Sequence, residues 1–174
     1  MKNDFLGNRM KQYEKCSSYQ LINRLPVIVR IDGKSFHSLR LAKPFDHRFM
    51  NAMTRSAIYL AKEMQGFKFG YIQSDEASFL LSDYDTITTE SWFAYDLSKV
   101  VSISASIMSL NFTADFLQLV IFDSRAFNMP KDDISNYFLW RAKDWNRNSL
   151  QMYCRSFFSH KELNKKKQED MHEM

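Results

Sequence analysis

Residues 26–37 read Pro-Val-Ile-Val-Arg-Ile-Asp-Gly-Lys-Ser-Phe-His, and the fold can be worked out from this stretch. The β-branched run at 27–31 predicts a strand, and Pro26 suits a strand's first position because it has no N–H to donate. The strand ends in a carboxylate, Asp32, and a short loop with one glycine follows. Two interpretations stay open: a turn in which Asp32 bonds its own backbone, and a strand-end carboxylate beside a ligand-binding loop.

The composition is typical of one globular domain. Hydrophobic residues make up 45% of the 174 residues and charged residues 25%, which is enough apolar material to bury a core. There is no signal-peptide core and no apolar run long enough to cross a bilayer, so we expect a cytoplasmic protein without a membrane partner. Cys16 and Cys154 lie far apart in the sequence, which indicates reduced thiols rather than a metal site.

Charge and glycine content narrow the classes of function. Lys and Arg exceed Asp and Glu by 24 − 20 = +4, which is compatible with an RNA or nucleotide-phosphate partner. The chain has only four glycines, and it contains neither the Walker phosphate loop nor the Rossmann fingerprint. If this protein binds a nucleotide, it must therefore hold the phosphates without either of these glycine-rich motifs.

Apolar periodicity and turn residues predict the order of the elements. They are a polar helical leader at 3–16, a strand at 27–32, a helix that Asp46 caps and Gly66 ends, strands at 67–72 and 77–81, a helix at 92–110 and a strand at 117–122. Residues 101–106 also alternate like a strand, but the length of 92–110 favours a helix.

The turn between the two central strands reads Gln73-Ser74-Asp75-Glu76 and contains no glycine. Tight hairpin turns usually use glycine or asparagine, so these polar side chains are candidates for a function. A solvated turn is the alternative.

A long helix that Asp132 or Asp133 opens follows, and Ser159 starts a final short helix. The apolar arc of the long helix is formed by Ile134, Phe138, Ala142, Trp145, Ser149, Met152 and Ser156. Polar residues lie beside this arc, and our candidates for RNA contacts are Arg141, Arg147, Asn148 and Arg155. A solvated helix flank is the alternative.

The order strand, helix, strand, strand, helix, strand predicts an α+β, ferredoxin-like βαββαβ fold. We expect one domain over 1–174, with a palm-like core at 26–130, a helical extension at the N-terminus and C-terminal helices at 131–174. In this topology the end of the first strand meets the hairpin turn, so Asp32 comes close to Asp75 and Glu76.

Neighbouring carboxylates repel one another, and a divalent cation removes this penalty. Oxygen ligands without His or Cys favour Mg²⁺, which takes water and substrate phosphates as its remaining ligands. Two such ions activate an attacking hydroxyl and stabilise a leaving pyrophosphate. On a ferredoxin-like sheet, this pattern predicts a polymerase-type palm.

Motifs along the chain resemble those of the tRNA-His guanylyltransferase family of 3′–5′ nucleotide-adding enzymes, in particular its guanylyltransferase-like branch of bacteria, archaea and phage. The segments at 30–37, 43–44, 73–76, 122–125, 136–138, 140–141, 147–152 and 158–163 read RIDGKSFH, KP, QSDE, FDSR, NYF, WR, RNSLQM and FSHKEL. The resemblance covers the chain from about residue 26 to its end.

The resemblance implies a nucleotidyltransferase that adds nucleotides to the 5′ end of tRNA. The 5′-monophosphate is activated with ATP or GTP, and the 3′-hydroxyl of GTP then attacks it. Eukaryotic members have an Arg pair where this chain has Tyr95-Asp96, and a His-Ile-Asn-Asn motif where it has Asn-Arg-Asn-Ser at 146–149. These departures favour templated tRNA 5′-end repair over guanylylation of tRNA-His. The assembly expected from the family is a homotetramer of two dimers.

The resemblance also implies roles for single residues. Asp32 and Asp75 would bridge two Mg²⁺ ions, with the Gly33 carbonyl as a further ligand and Glu76 as support. The residues implied to hold a nucleoside triphosphate are Asp32, Gly33, Lys34, Ser35, Phe36, His37, Ser74, Asp75 and Lys99.

Two other functions use the same residues differently. A palm-type nucleotidyl cyclase would act on GTP alone, although the Gly-Gly-Asp/Glu-Glu-Phe signature of dinucleotide cyclases is absent from the sequence. A non-catalytic tRNA-binding module would bind RNA in a salt-dependent manner through Arg141, Arg147 and Arg155 and would release no pyrophosphate.

Overall fold

Strands and helices alternate in the order βαββαβ, with helices before and after this core. The computed structural model describes residues 4–164 and 166–173, without the side chains of His37 and His160. The helices are α1 (Phe5–Cys16), α2 (His47–Glu63), α3 (Leu97–Phe116), α4 (Ile134–Phe157), α5 (His160–Leu163) and α6 (Gln168–His172). The strands are β1 (Val27–Gly33), β2 (Phe67–Gln73), β3 (Glu76–Leu81) and β4 (Phe122–Asn128).

The four strands form one antiparallel sheet in the order β2-β3-β1-β4. In the first βαβ unit, β3 lies between β1 and β2. In the second unit, β1 lies between β3 and β4, so each unit supplies the strand that separates the two strands of the other. The ferredoxin-like prediction is therefore confirmed. Because β1 is central, its last residues have a neighbour on each side: Asp32 lies opposite Glu76 of β3 and Asp123 of β4.

The two faces of the sheet carry different side chains. On the face toward α2 and α3, the core residues of β1 and β3 are Val27, Val29, Ile31, Ala77, Phe79 and Leu81. The alternate residues face α4, where the Ser78 and Tyr137 hydroxyls lie 2.9 Å apart in a buried hydrogen bond and the Phe69 and Phe138 rings are 4.8 Å apart. The first face is thus apolar, whereas the second, which we call the polar face, carries charged and hydroxyl side chains beside apolar ones such as the fully buried Ile28.

Helix α2 begins and ends as the sequence predicts. The Asp46 carboxylate accepts hydrogen bonds from the backbone N–H groups of Phe49 at 3.0 Å and Ala42 at 2.9 Å, and these bonds lower its pKa. Beyond the helix, Gly66 has φ of +79°. A Cβ at Gly66 would lie 2.3 Å from the Ser82 carbonyl oxygen, so glycine is required there.

The predicted last strand is wrong in position. Helix α3 continues to Phe116, where it buries two further phenylalanines, and it ends at Leu117 in the left-handed conformation with φ of 58°. Leu117 and Leu119 are 81% and 84% exposed, so the apolar residues at 117–121 belong to a connecting loop. The actual strand, β4, follows at Phe122–Asn128.

Within 4–164 and 166–173, no helix combines the length and the apolar character needed to cross a membrane.

Candidate active site

The end of β1 and the β2–β3 turn are joined by backbone. The Gly33 N–H donates to the Asp75 carbonyl at 3.1 Å, and Ser74 turns the hairpin with φ of 50°. Asp32 lies directly opposite Glu76 in the β1–β3 ladder. The prediction that Asp32 meets the turn is therefore confirmed, and we call this group of Asp32, Asp75 and Glu76 the acidic edge.

The loop after Asp32 folds back onto the apolar core. The Lys34 N–H donates to the Ile121 carbonyl at 2.8 Å, and Ser35 has φ of 60°. Phe36 is 6% exposed and packs against Phe122 with ring centroids 5.0 Å apart. A Cβ at Gly33 would lie 2.3 Å from the Phe36 ring, so glycine lets the loop close over this ring. Lys34 and Ser35 are exposed, and the predicted contact through the His37 side chain lies outside the described residues.

Glu76 is held between two arginines. Arg30 Nη2 lies 2.6 Å from Glu76 Oε2, and Arg141 Nε lies 2.9 Å from Oε1, with the Glu76 side chain 7% exposed. Burial raises the Glu76 pKa, the two guanidinium groups oppose this shift, and the nearby Asp32 adds to it. Glu76 thus points toward α4, and its contacts with the two arginines hold the strand residue that lies opposite Asp32.

Arg141 does not lie where the sequence predicts it. It is 4% exposed and pairs with Asp144 at 2.6 Å as well as with Glu76. In the amide orientation that satisfies both partners, Gln73 donates to the Arg141 carbonyl and accepts from its Nη2, each at 2.6 Å. A buried guanidinium with these partners is not available to an RNA backbone, so the prediction of Arg141 as an RNA contact is wrong.

Two cavities meet beside the acidic edge. A cavity of about 210 Å³ is lined by charged and polar groups of the edge and by α4, among them Asp32, Asp75 and Glu76. A second cavity, of about 480 Å³, lies between the loop after β1, α2 and α4, and its lining is mostly apolar. Both cavities share the residues Gln73, Ser74, Trp145 and Met152.

The other predicted contacts are divided between the site and the outer surface. Asn148 lines the smaller cavity, whereas Arg147 and Arg155 are exposed.

Lys99 lies in the first turn of α3, where the Leu97 N–H donates to the Tyr19 carbonyl at 2.9 Å. A 20-residue helix is about 30 Å long, and the opposite end of α3 packs near Phe36. Lys99 lines neither cavity, so the structure does not bring it to the acidic edge.

Helix α4 supplies two cavity-lining residues, Trp145 and Met152, that are not among the site residues predicted from the sequence. Arg141, Trp145, Asn148 and Met152 line the smaller cavity at spacings of four, three and four residues, so they form one helix face. The residues that α4 buries are Tyr137, Arg141 and Cys154, and the predicted apolar arc contains none of them. The spacing was visible in the sequence, but nothing there showed that a mixed polar and apolar face lies against the sheet.

The acidic edge offers oxygen ligands only. In the part of the chain that the structure describes, no cluster of three or more His, Cys, Asp or Glu side chains is arranged as a ready metal site. Glu76 is engaged by Arg30 and Arg141, so the oxygen ligands on offer are the Asp32 and Asp75 carboxylates and the Gly33 carbonyl. An octahedral ion bound by these groups would keep further positions for water and phosphate. This donor set fits Mg²⁺, which is usually bound by one or two carboxylates together with substrate phosphates.

Comparisons with known proteins point to one family. Residues 7–130 match the family model described as "Thg1: tRNAHis guanylyltransferase". The chain is 32% identical to the probable tRNA(His) guanylyltransferase of Dictyostelium discoideum over 165 residues, which cover 82% of this chain and 61% of that protein. The chain thus spans about three fifths of the length of this relative.

Two solved structures are also similar. One, a bacterial tRNA(HIS) guanylyltransferase (Thg1)-like protein in complex with ATP, has a TM-score of 0.93 and 41% identity over 97% of this chain and 77% of that one. The other, a bacterial Thg1-like protein in complex with GTP, has a TM-score of 0.86 and 42% identity over 89% of this chain and 78% of that one. The chain belongs to the tRNA(His) guanylyltransferase family.

Proposed function

We propose that this chain catalyses template-directed 3′–5′ addition of nucleotides, preferentially GTP, to the 5′ end of a tRNA whose 5′-monophosphate has been activated with ATP. The observation that carries the proposal is the junction of the acidic edge with the apolar cavity at Gln73 and Ser74. One nucleotide that spans this junction has its base in apolar surroundings and its phosphates beside carboxylates that a cation would neutralise. The ATP and GTP complexes of the two bacterial relatives support this assignment.

The larger cavity has the character of a base-binding site. At about 480 Å³ it is within the range of small-molecule pockets, and its lining is apolar with a few polar groups, among them Thr54 and Gln73. Lys43, which also lines it, and the exposed Lys34 supply positive charge for the triphosphate. The Gly33 and Lys34 N–H groups are engaged by the Asp75 and Ile121 carbonyls, so main-chain donors to the phosphates must come from further along this loop.

Mg²⁺ would be held by Asp32, Asp75 and the Gly33 carbonyl, with Glu76 as support. Bound there, it would supply activation of the attacking hydroxyl and stabilisation of the leaving pyrophosphate. The chain's own contribution is to fix these ligands on backbone. The β1–β3 ladder and the Gly33–Asp75 hydrogen bond set the separation of the two aspartates without the aid of a ligand.

The C-terminal helices at 131–174 are proposed to contact the tRNA. Arg147 and Arg155 are exposed on α4, and Asn148 lies between them at the cavity mouth. Phosphate contacts of this kind give a salt-dependent affinity. The net charge of +4 has the sign that such a partner requires.

We further propose that the chain acts in the cytoplasm as a homotetramer of two dimers. Exposed apolar side chains at the C-terminal end of α3 and in the loop after it (Leu110, Leu117 and Leu119) support self-association. Cys16 and Cys154 are both unpaired, as is usual in a reducing compartment. Light scattering coupled to size-exclusion chromatography measures the assembly directly.

The test is incubation with Mg²⁺, ATP, labelled GTP and a 5′-monophosphorylated tRNA that lacks its first nucleotide. We expect label at the tRNA 5′ end with the wild-type chain. Asp32→Asn should reduce transfer by more than the roughly 100-fold that loss of an outer-shell partner of a metal costs. Asp123→Asn is the matched control, because Asp123 also lies opposite Asp32 but is exposed and lines neither cavity.

The outcomes separate the candidate functions. Transfer that is unchanged in Asp32→Asn contradicts the proposal. A cyclic product formed from GTP without RNA indicates a nucleotidyl cyclase. Binding of tRNA without pyrophosphate release indicates a non-catalytic binding module.

A further inference from the structure

Helix α4 closes one side of the proposed nucleotide site with a defined set of side chains. Arg141 is committed to Glu76 and Gln73, so its position is fixed by buried contacts. One turn further along, Trp145 lines both the smaller and the larger cavity. The contacts of Arg141 therefore hold against the sheet the face of α4 that carries Trp145.

Trp145 faces a second aromatic ring across the cavity mouth. Phe45, in the segment before α2, has its ring centroid 6.2 Å from that of Trp145, with the ring planes at 48°. Both rings line the larger cavity, and Trp145 is only half-buried. An aromatic ring that is partly exposed at the mouth of an apolar cavity offers a face on which a planar ligand can stack.

Two other aromatic residues of the lining, Phe36 and Phe49, are 6% and 5% exposed and pack on each other and on Phe112 in the core. The aliphatic part of the lining consists of Leu39, Leu41, Met50, Met53, Ile72 and Met152. Among the aromatic residues of this lining, Trp145 and Phe45 are the half-buried ones, so stacking with a ligand falls on them.

We propose that Trp145 contacts the nucleobase: its indole covers one face of the purine of bound ATP or GTP and gives the site a preference for purine over pyrimidine triphosphates. This inference rests on the proposed function, because it takes the larger cavity as the base-binding site. Stacking recognises the face of a base and not its edge, so it serves adenine and guanine alike. Purines gain more than pyrimidines because their larger ring system covers more of the indole.

The test is equilibrium binding of ATP, GTP, CTP and UTP with Mg²⁺ to the full chain without tRNA, by titration calorimetry. Trp145→Leu keeps apolar bulk but removes the aromatic face. We expect the Kd for ATP and GTP to rise about ten-fold, with a smaller rise for CTP and UTP. Trp145→Phe, which keeps a ring, should recover most of the purine affinity.

The matched control is Tyr153→Leu. Tyr153 is an aromatic residue of the same helix, is 51% exposed and packs on Phe157 with centroids 5.1 Å apart, and it lines neither cavity. All four Kd values should be unchanged in this variant. Thermal unfolding of each variant checks that it is folded.

Several results overturn the inference. One is wild-type affinity for ATP and GTP in Trp145→Leu, and another is an equal loss for all four triphosphates, which indicates general distortion. If Trp145→Leu does not fold, Trp145→Phe takes its place: its ratio of pyrimidine to purine Kd should fall, and an unchanged ratio contradicts stacking. If the wild-type chain binds neither ATP nor GTP, the proposed function and this inference both fail. If the wild-type chain binds them and Trp145→Leu binds them equally well, only this inference fails, so the two failures are distinguishable.

Discussion

The two faces of the sheet are made of alternate residues of the same strands, and they are held in different ways. On the α2–α3 side, β1 contributes Val27, Val29 and Ile31, all fully buried among apolar neighbours. On the α4 side, Arg30 and Asp32 alternate with them, and Arg30 pairs with Glu76 of the neighbouring strand. The first face is stabilised by burial of non-directional apolar area, and the second adds a few directional contacts to apolar residues such as the fully buried Ile28.

This difference shows how the fold separates stability from chemistry. Loss of one methyl group on the apolar face changes packing but moves no charge. Loss of one partner on the polar face leaves a buried charge without its counter-ion, a much more local and more specific defect. The predictions below test this division, from the largest expected effect to the smallest.

Phe79→Ala should lower the free energy of unfolding by about 3–5 kcal/mol, because Phe79 is 2% exposed and the cavity left behind cannot fully collapse. Chemical denaturation measures the loss. The control is Leu80→Ala, next along β3 and only half-buried on the other face, which should cost clearly less. Equal losses would contradict the division of the two faces.

Arg141→Ala should lower the free energy of unfolding by about 3 kcal/mol, because it removes one partner of a buried ion pair. Glu76→Gln should cost less in this variant than in the wild-type chain, since its contact with Arg141 is already lost and only the contact with Arg30 remains. A double-mutant cycle measures the coupling. Strictly additive losses would show that Arg141 and Glu76 do not act as a pair.

Tyr137→Phe should cost about 1.5 kcal/mol, because it leaves the buried Ser78 hydroxyl without its 2.9 Å partner. Burial raises the Tyr137 pKa, with the Ser78 hydrogen bond opposing the shift. The unfolded chain therefore loses the tyrosine proton first, and the stability that Tyr137 contributes is lost as pH rises from about 10 through the folded pKa. Denaturation at pH 8 to 11 should show a shallower alkaline loss in the variant, and an unchanged slope contradicts this.

Asp46→Ala should have the smallest effect, about 1 kcal/mol, because it removes the N-cap of α2. Backbone hydrogen bonds from Ala42 and Phe49 lower the Asp46 pKa, so its contribution is present above the usual value of 3.8 and is lost as pH falls through the folded pKa. Asp46→Asn should retain much of the cap and lose only the pH dependence. Thermal unfolding between pH 2 and 6 compares the three proteins.

The first three strands and the acidic edge can be predicted from the sequence because the residues that specify each of them are close together in the chain. A β-branched run followed by Asp32, and a hairpin turn made of polar residues, each specify their own backbone, and the ferredoxin-like order brings them together. Helix α2 was equally accessible, since Asp46 and Gly66 act within one turn of its ends. In these regions, neighbouring residues determine the structure.

Two misplacements have a common physical cause. Hydropathy predicts a strand at 117–122, yet the strand is the more polar β4, an edge strand on which Asp123 and Arg125 are exposed to solvent. The polar flank of α4 predicts a surface position for Arg141, yet this residue is buried, because it pairs with Glu76 from a strand 65 positions earlier. Hydropathy describes how a residue interacts with water and not which distant partner it will meet, so neither result was available from the pattern alone.

The strand pairing of the sheet ends at Asn128, and helix α4 begins after it, at Ile134. The backbone of the acidic edge is therefore paired before the chain reaches the helix that covers it, and α4 adds Arg141 as a partner of Glu76. Trp145, Asn148 and Met152 line the smaller cavity from this helix, and they take no part in the backbone pairing that positions Asp32 and Asp75. Under the proposed function, we expect libraries on this single helix face to alter the choice of nucleotide while the strand-end carboxylates stay in place.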